Sequence, residues 1–174
     1  MSPRNPTPAA DVSAKVVEIE RVLSRMTYLA GRARQHERLM AVAGLDLDRA
    51  AVAILRHIAE SDPVRPGVLA VRLSVEASHV TRQLGQLERG GYVVRVADPE
   101  DRRARRVQLT DTGLAAVERI REASRRGVEL ALADWAPEEL ERLAVLLRRL
   151  VDDFVAHTEV PLDSAGRVSD VSPV

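Results

Sequence analysis

Four arginines fall within residues 97–106, at positions 102, 103, 105 and 106, among Asp98, Pro99, Glu100 and Asp101. A guanidinium is a planar fork of donors that fits phosphate and the guanine edge. The acids and the proline make turns, and β-branched runs lie on either side, at 92–96 and 107–109. That order predicts a β-hairpin carrying arginines at its tip. Such a hairpin is electrostatically costly unless its partner is anionic, and a phosphate-lined minor groove meets that requirement.

A second set of polar residues lies just upstream, on a helical repeat. At about 100° per residue, Ala77, Val80, Leu84 and Leu87 share one face of a helix. Ser78, Arg82, Gln86 and Arg89 fall opposite, with His79 and Gln83 on the flank. Ser78, His79, Arg82 and Gln83, near the leading half, are the candidates for base-edge contact. Arg82 is equally suited to phosphate. Thr81 suits phosphate or its own helix backbone.

Nothing in the chain assembles a reaction centre. The histidines stand at 36, 57, 79 and 157, none at the spacing of a helix-borne metal pair. Gly90 and Gly91 stop a helix and lack the rest of a phosphate-binding loop. No converging nucleophile, acid and base are apparent, so the expectation is a binding protein with no enzyme activity, cofactor or metal. Without cysteine, disulfides, thiolate metal sites and thiol redox switching are all excluded.

The elements that must position the two polar sets are legible around them. Ser74 is placed to cap the polar helix, and Gly90–Gly91 to end it. Leu45, Asp46, Leu47 and Asp48 precede a helix with Ala51, Ile54, Leu55 and Ile58 inward, ended by Ser61, Asp62 and Pro63. Pro66 opens a shorter helix burying Leu69, Ala70 and Leu73. This helix and the next, meeting near residues 73–75, form a helix-turn-helix. Thr110 caps the helix that follows the hairpin.

Long helical seams flank this head. Val16, Ile19, Leu23, Met26, Ala30 and Ala33 alternate by three and four, predicting one helix to about residue 42, before Gly44. Leu114, Val117 and Ile120 begin another, in which Gly127 could introduce a kink. Pro137, Glu138 and Glu139 start the last, with Leu140, Leu143, Leu147, Leu150 and Phe154 as its seam.

Charge is distributed unevenly although the chain is neutral, with 26 basic and 26 acidic residues. Residues 65–109 carry nine arginines against five acids, while residues 134–174 carry four against nine. The head is therefore the basic part, as a DNA reader would be. No apolar run approaches a membrane span and the first residues lack a signal-peptide core, so the expected location is the cytoplasm.

The stretch HVTRQLGQLERGGYVVR and, after it, DPEDRRARRVQLTDTG resemble the recognition helix and wing of the MarR family of bacterial transcription regulators. The family pattern runs Asp-Pro-x-Asp-Arg-Arg, a hydrophobic residue, then Leu-Thr-x-x-Gly. The likeness spans about forty contiguous residues and unites motif, spacing and context. The implied fold is mainly α with a small β-hairpin: a winged helix-turn-helix domain (45–110) flanked by an N-terminal dimerisation helix (12–44) and C-terminal dimerisation helices (111–157). Residues 1–11 and 158–174 are expected to be disordered.

The resemblance implies a homodimer on a pseudo-palindromic double-stranded DNA operator, acting as a repressor. It carries Asp101 over as the residue that orients Arg103, whose guanidinium enters the minor groove. Arg102, Arg105 and Arg106 could contact phosphate or hold the hairpin together through Asp98, Glu100 and Asp101. It also implies release by a small aromatic or phenolic anion, for which Arg32, His36 and His57 are candidate contacts. His79 departs from the small or aliphatic residue expected at its position. The alternative reading is a winged-helix architectural or protein-interaction module without a specific operator.

Overall fold

A computed structural model describes residues 8–61, 63–101 and 103–158. Its elements are α1 (Pro8–Ala30), α2 (Ala33–Ala43), α3 (Arg49–Ser61), α4 (Pro66–Leu73), α5 (Ala77–Arg89), β1 (Val93–Ala97), β2 (Arg105–Leu109), α6 (Asp111–Ala131) and α7 (Pro137–Thr158). The chain divides into two units, one ending at Arg126 and the other starting at Gly127.

The first unit is built on one apolar core. Ile54, Leu55 and Ile58 of α3 pack with Leu69 of α4, Val80, Leu84 and Leu87 of α5, Val93 and Val107 of the hairpin and Val117 of α6. These are the inward positions of each helical repeat, and their burial is what holds the short elements in place. A second cluster joins Met40 and Ala43 of α2 to Val52 of α3 and to Ile120 and Ala123 of α6.

β1 and β2 pair antiparallel from Val93–Leu109 to Ala97–Arg105. Val64 adds a one-residue third strand, exchanging N–H···O bonds with Val107 at 3.0 and 2.8 Å. The mainly helical architecture with one small antiparallel sheet is the expected fold class.

Several boundaries differ from the sequence reading. The first long seam is two helices, broken at Gly31–Arg32, with Arg32 as an extended residue leading into α2. Arg49 Nη1 then donates to the Gly31 carbonyl at 2.5 Å, so the break is tied to α3. α1 begins at Pro8, inside the stretch read as an extension, because proline suits a first helical turn. Ser74 does not cap α5. It ends α4 in the left-handed region, at φ 51°, and α5 starts only at Ala77 with Glu76 before it. α6 is one helix from Asp111 to Ala131, with Gly127 inside it. Residues 1–7, Asp62, Arg102 and 159–174 lie outside the described residues, and with them the expectations placed there.

The second unit holds α7. It starts at Pro137, where the sequence reading places it, and the Ala136 N–H donates to Glu139 Oε2 at 2.9 Å.

Candidate nucleic-acid interface

α4, the turn at Ser74–Glu76 and α5 make the helix-turn-helix. The turn costs one non-glycine residue at positive φ, which a small polar side chain tolerates best. α5 buries Val80, Leu84 and Leu87 and leaves Ser78, Thr81, Arg82, Gln86 and Arg89 exposed. Arg82 Nη2 donates to His79 Nδ1 at 3.1 Å, which makes Nδ1 the acceptor nitrogen and lays the guanidinium along the outer face of the helix. The Thr81 hydroxyl donates to the Ala77 carbonyl at 2.9 Å, so its donor is spent within the helix.

Gln83 does not share that face. It is only 7% exposed, and its Nε2 donates to Asp48 Oδ2 at 3.0 Å. Asp48 in turn accepts the Ala51 N–H at 2.7 Å through Oδ1 and so caps α3. Gln83 falls at the i+3 position between Val80 and Leu87, at the edge of the buried face, and its polar side chain is met there by a partner 35 positions upstream.

The wing closes through its own acids. Asp98 accepts the Glu100 N–H at 2.9 Å, Asp101 accepts the Arg103 N–H at 2.9 Å, and Ala104 N–H donates to the Asp101 carbonyl at 2.9 Å. Asp101 thus shapes the backbone at the tip, rather than gripping the Arg103 guanidinium. Asp98 is buried at the root. It receives Arg65 Nε at 2.6 Å, and Arg106 Nε and Nη2 at 2.8 and 3.2 Å. These two guanidiniums, Arg65 foremost, hold the Asp98 carboxyl well below the usual carboxylate range. Glu100 is shared between the same two arginines, at 3.6 and 3.3 Å.

Arg106 is therefore a structural arginine, the second of the two roles open to it. Arg103 and Arg105 are exposed, and among the described residues neither guanidinium has an acceptor. Asp98 and Glu100 are paired with Arg65 and Arg106, and Asp101 accepts a backbone N–H, so among the described residues no carboxylate forms an ion pair with Arg103 or Arg105.

Thr110 joins wing to helix. Its hydroxyl donates to the Gly91 carbonyl at 2.6 Å and accepts the Gly113 N–H at 3.0 Å, and its own N–H donates to the Tyr92 carbonyl at 3.1 Å. Gly113 packs so close to that carbonyl that a Cβ there would run into it. The Leu-Thr-x-x-Gly spacing thus has a steric reason at each end.

The candidate effector contacts are each committed locally. His36 Nε2 donates to the Leu47 carbonyl at 2.7 Å, His57 Nδ1 donates to the Ala53 carbonyl at 3.0 Å, and the Arg32 guanidinium lies 5.9 Å from the Tyr28 ring centroid. Among the described residues no cluster of His, Asp or Glu could hold a metal ion, and no helix is long and apolar enough to cross a membrane.

Residues 45–104, which take in α3, the helix-turn-helix, β1 and the turn after it but stop short of β2, match the family model described as the MarR family. Over that segment the chain is similar to the MarR family. Among curated relatives, the chain is 29% identical over 155 residues to the HTH-type transcriptional regulator PecS of Dickeya dadantii, covering 87% of this chain and 90% of PecS. It is 30% identical over 97 residues to YkoM of Bacillus subtilis, described as an uncharacterized HTH-type transcriptional regulator. That alignment covers 56% of this chain and only 63% of YkoM, less than two thirds of its length. The relatives are regulators, not enzymes. A MarR family protein from Bacillus stearothermophilus shares the fold with a TM-score of 0.73 at 20% identity, over 82% of this chain and 97% of that one. The transcriptional regulator Tm0710 from Thermotoga maritima matches at 0.63 and 28% identity, over 83% and 99%.

One pair at the root of the wing, Arg65 with Asp98, escaped the sequence reading. Arg65 lies before α4 and Asp98 at the end of β1, 33 positions apart. The proline after Arg65 signals a helix start, but nothing local says that the arginine reaches the wing.

Proposed function

We propose that the chain is a DNA-binding transcriptional regulator, acting as a repressor and working as a homodimer. α5 enters the major groove and the wing enters the adjacent minor groove. Two copies then read half-sites about one helical turn apart, on a pseudo-palindromic operator. The observation that carries this reading is that the exposed Arg103 and Arg105 stand on the hairpin without a carboxylate partner among the described residues, beside the exposed polar face of α5. Placing two unpaired guanidiniums on a rigid projection is favourable against phosphate and has no use against water. Ser78, His79 and Arg82 are the residues for base edges, and Arg103 is the minor-groove contact. A solved structure of the same fold, a mutant of MepR from S. aureus, is described as bound to an oligodeoxyribonucleotide.

The dimer rests on surface that water should not keep. Val16, Ile19 and Met26 of α1 are 59, 49 and 56% exposed, and Leu147 and Val151 of α7 are also open. Contiguous apolar stripes of this kind mark interfaces. A small aromatic or phenolic anion that favours a head spacing unfit for DNA would release the operator, with Arg32, His36 and His57 as its contacts.

The test is fluorescence anisotropy on DNA from upstream of the chain's own gene, with random competitor, at two salt concentrations. Competitor-resistant binding establishes the operator reader. Weak binding that disappears as salt rises would favour an architectural winged helix instead.

A further inference from the structure

Gln83 is a polar side chain on the buried face of α5, flanked there by Val80, Leu84 and Leu87. Those three lie in the apolar core of the head, and apolar contact is non-directional. It holds a helix against its neighbours but leaves it able to roll. The bond from Gln83 Nε2 to Asp48 Oδ2 is directional, and its acceptor is fixed in turn by the cap on α3 through Ala51. At a helix-surface radius of about 5 Å, a roll of about 20° carries an outer atom roughly 2 Å. That displacement is enough to lose a hydrogen bond to a base edge.

The same turn is tied from its other side. Leu47, next to Asp48, accepts the His36 ring from α2. The roll of α5 is thereby referred through Asp48 to a turn anchored by both α2 and α3.

We infer that Gln83 and Asp48 are positioning residues for operator recognition: their hydrogen bond sets the roll of α5, so that Ser78, His79 and Arg82 meet the base edges in register. The inference rests on the DNA-reading function proposed above. It also gives Gln83 a role other than the base contact that its sequence position suggests.

The experiment uses the full chain and a duplex selected by the wild type from a randomised pool. Affinity for that duplex is measured against a scrambled duplex at fixed salt, followed by single-base-pair substitutions along the site. The variants are Gln83→Leu, Gln83→Glu and the double exchange D48N/Q83E. Asparagine still caps α3 through its side-chain oxygen, and its amide can donate to the new carboxylate.

Gln83→Leu and Gln83→Glu should each lower the preference for the selected duplex on the order of tenfold, with discrimination flattened at every contacted base pair. Affinity for scrambled DNA and its salt dependence should stay as in the wild type. D48N/Q83E should recover the preference, which a direct base contact would not allow. Unchanged preference in Gln83→Leu, loss confined to one base pair, or failure of D48N to rescue Gln83→Glu in a folded protein would each overturn the inference. A wild type that selects no duplex would instead overturn the DNA-reading function itself, and this inference with it.

Discussion

Arg106 holds Asp98 by two parallel bonds, Nε to Oδ2 at 2.8 Å and Nη2 to Oδ1 at 3.2 Å. Such a fork fixes both distance and plane, so the strand that carries Arg106 and the turn that starts at Asp98 cannot shift independently. Arg65 extends the hold to the start of α4, which makes the wing root and the helix-turn-helix one rigid piece.

This arrangement predicts an acid response. The Asp98 carboxyl is lowered in the folded chain, so its stabilisation is complete above its unfolded value of about 3.9 and is lost as pH falls from there toward the folded value. Melting temperature should drop steeply below pH 4 in the wild type. In Asp98→Asn it should start lower at pH 7 and decline less between pH 4 and pH 2. Parallel profiles for the two proteins would show that the clamp is not the acid-sensitive element.

Arg103 and Arg106 should separate cleanly. Arg103→Ala is expected to weaken operator binding by roughly 1–3 kcal/mol per subunit while leaving the melting temperature and the dimer intact. Arg106→Ala leaves Asp98 with one partner fewer and should lower the melting temperature. Anisotropy and calorimetry on the same two variants check this, and an unaltered operator affinity in Arg103→Ala would refute its role in the groove.

Gly113 admits no side chain against the Tyr92 carbonyl. Gly113→Ala should therefore cost about 1–3 kcal/mol by forcing β1 and α6 apart. Thr110→Ala should cost roughly 1 kcal/mol through the lost cap. Chemical denaturation measures both, and a Gly113→Ala protein as stable as wild type would mean that the close approach is relaxed in solution.

The open apolar residues of α1 and α7 predict the oligomeric state. Wild type should scatter light as a dimer, and Ile19→Glu or Val151→Glu should shift the mass toward the monomer, because a carboxylate buried in an apolar seam is strongly disfavoured. A folded wild-type monomer at all concentrations would remove the dimer from the proposal.

Periodicity made the inward faces of α3, α4, α5 and α6 legible, since 3.6-residue spacing and burial are the same fact seen twice. The hairpin and the cap at Thr110 were legible for a similar reason: their signals are local. What the sequence concealed was set at a distance. Ser74 carries the same cap signal whether it ends one helix or starts the next, and only the packing of α4 against α5 decides. Gln83 sits on the edge of its helix by angle, and Asp48 pulls it inside. Asp98 was legible as an acid that could hold Arg106 within the hairpin, but nothing local showed that Arg65 reaches it from before α4. The break at Gly31–Arg32 was hidden because the apolar repeat runs on across it.

The bridge between Val64 and Val107 has a consequence for how the molecule opens. These two residues close a segment of about forty residues that contains α4, α5 and the whole wing, and so carry the slow, non-local step of assembling the head. The hairpin cannot fray from its root without releasing Val64. The buried Val107 amide should accordingly exchange with deuterium only through opening of the entire head, at the same rate as amides in the middle of α3, while amides at the wing tip exchange early.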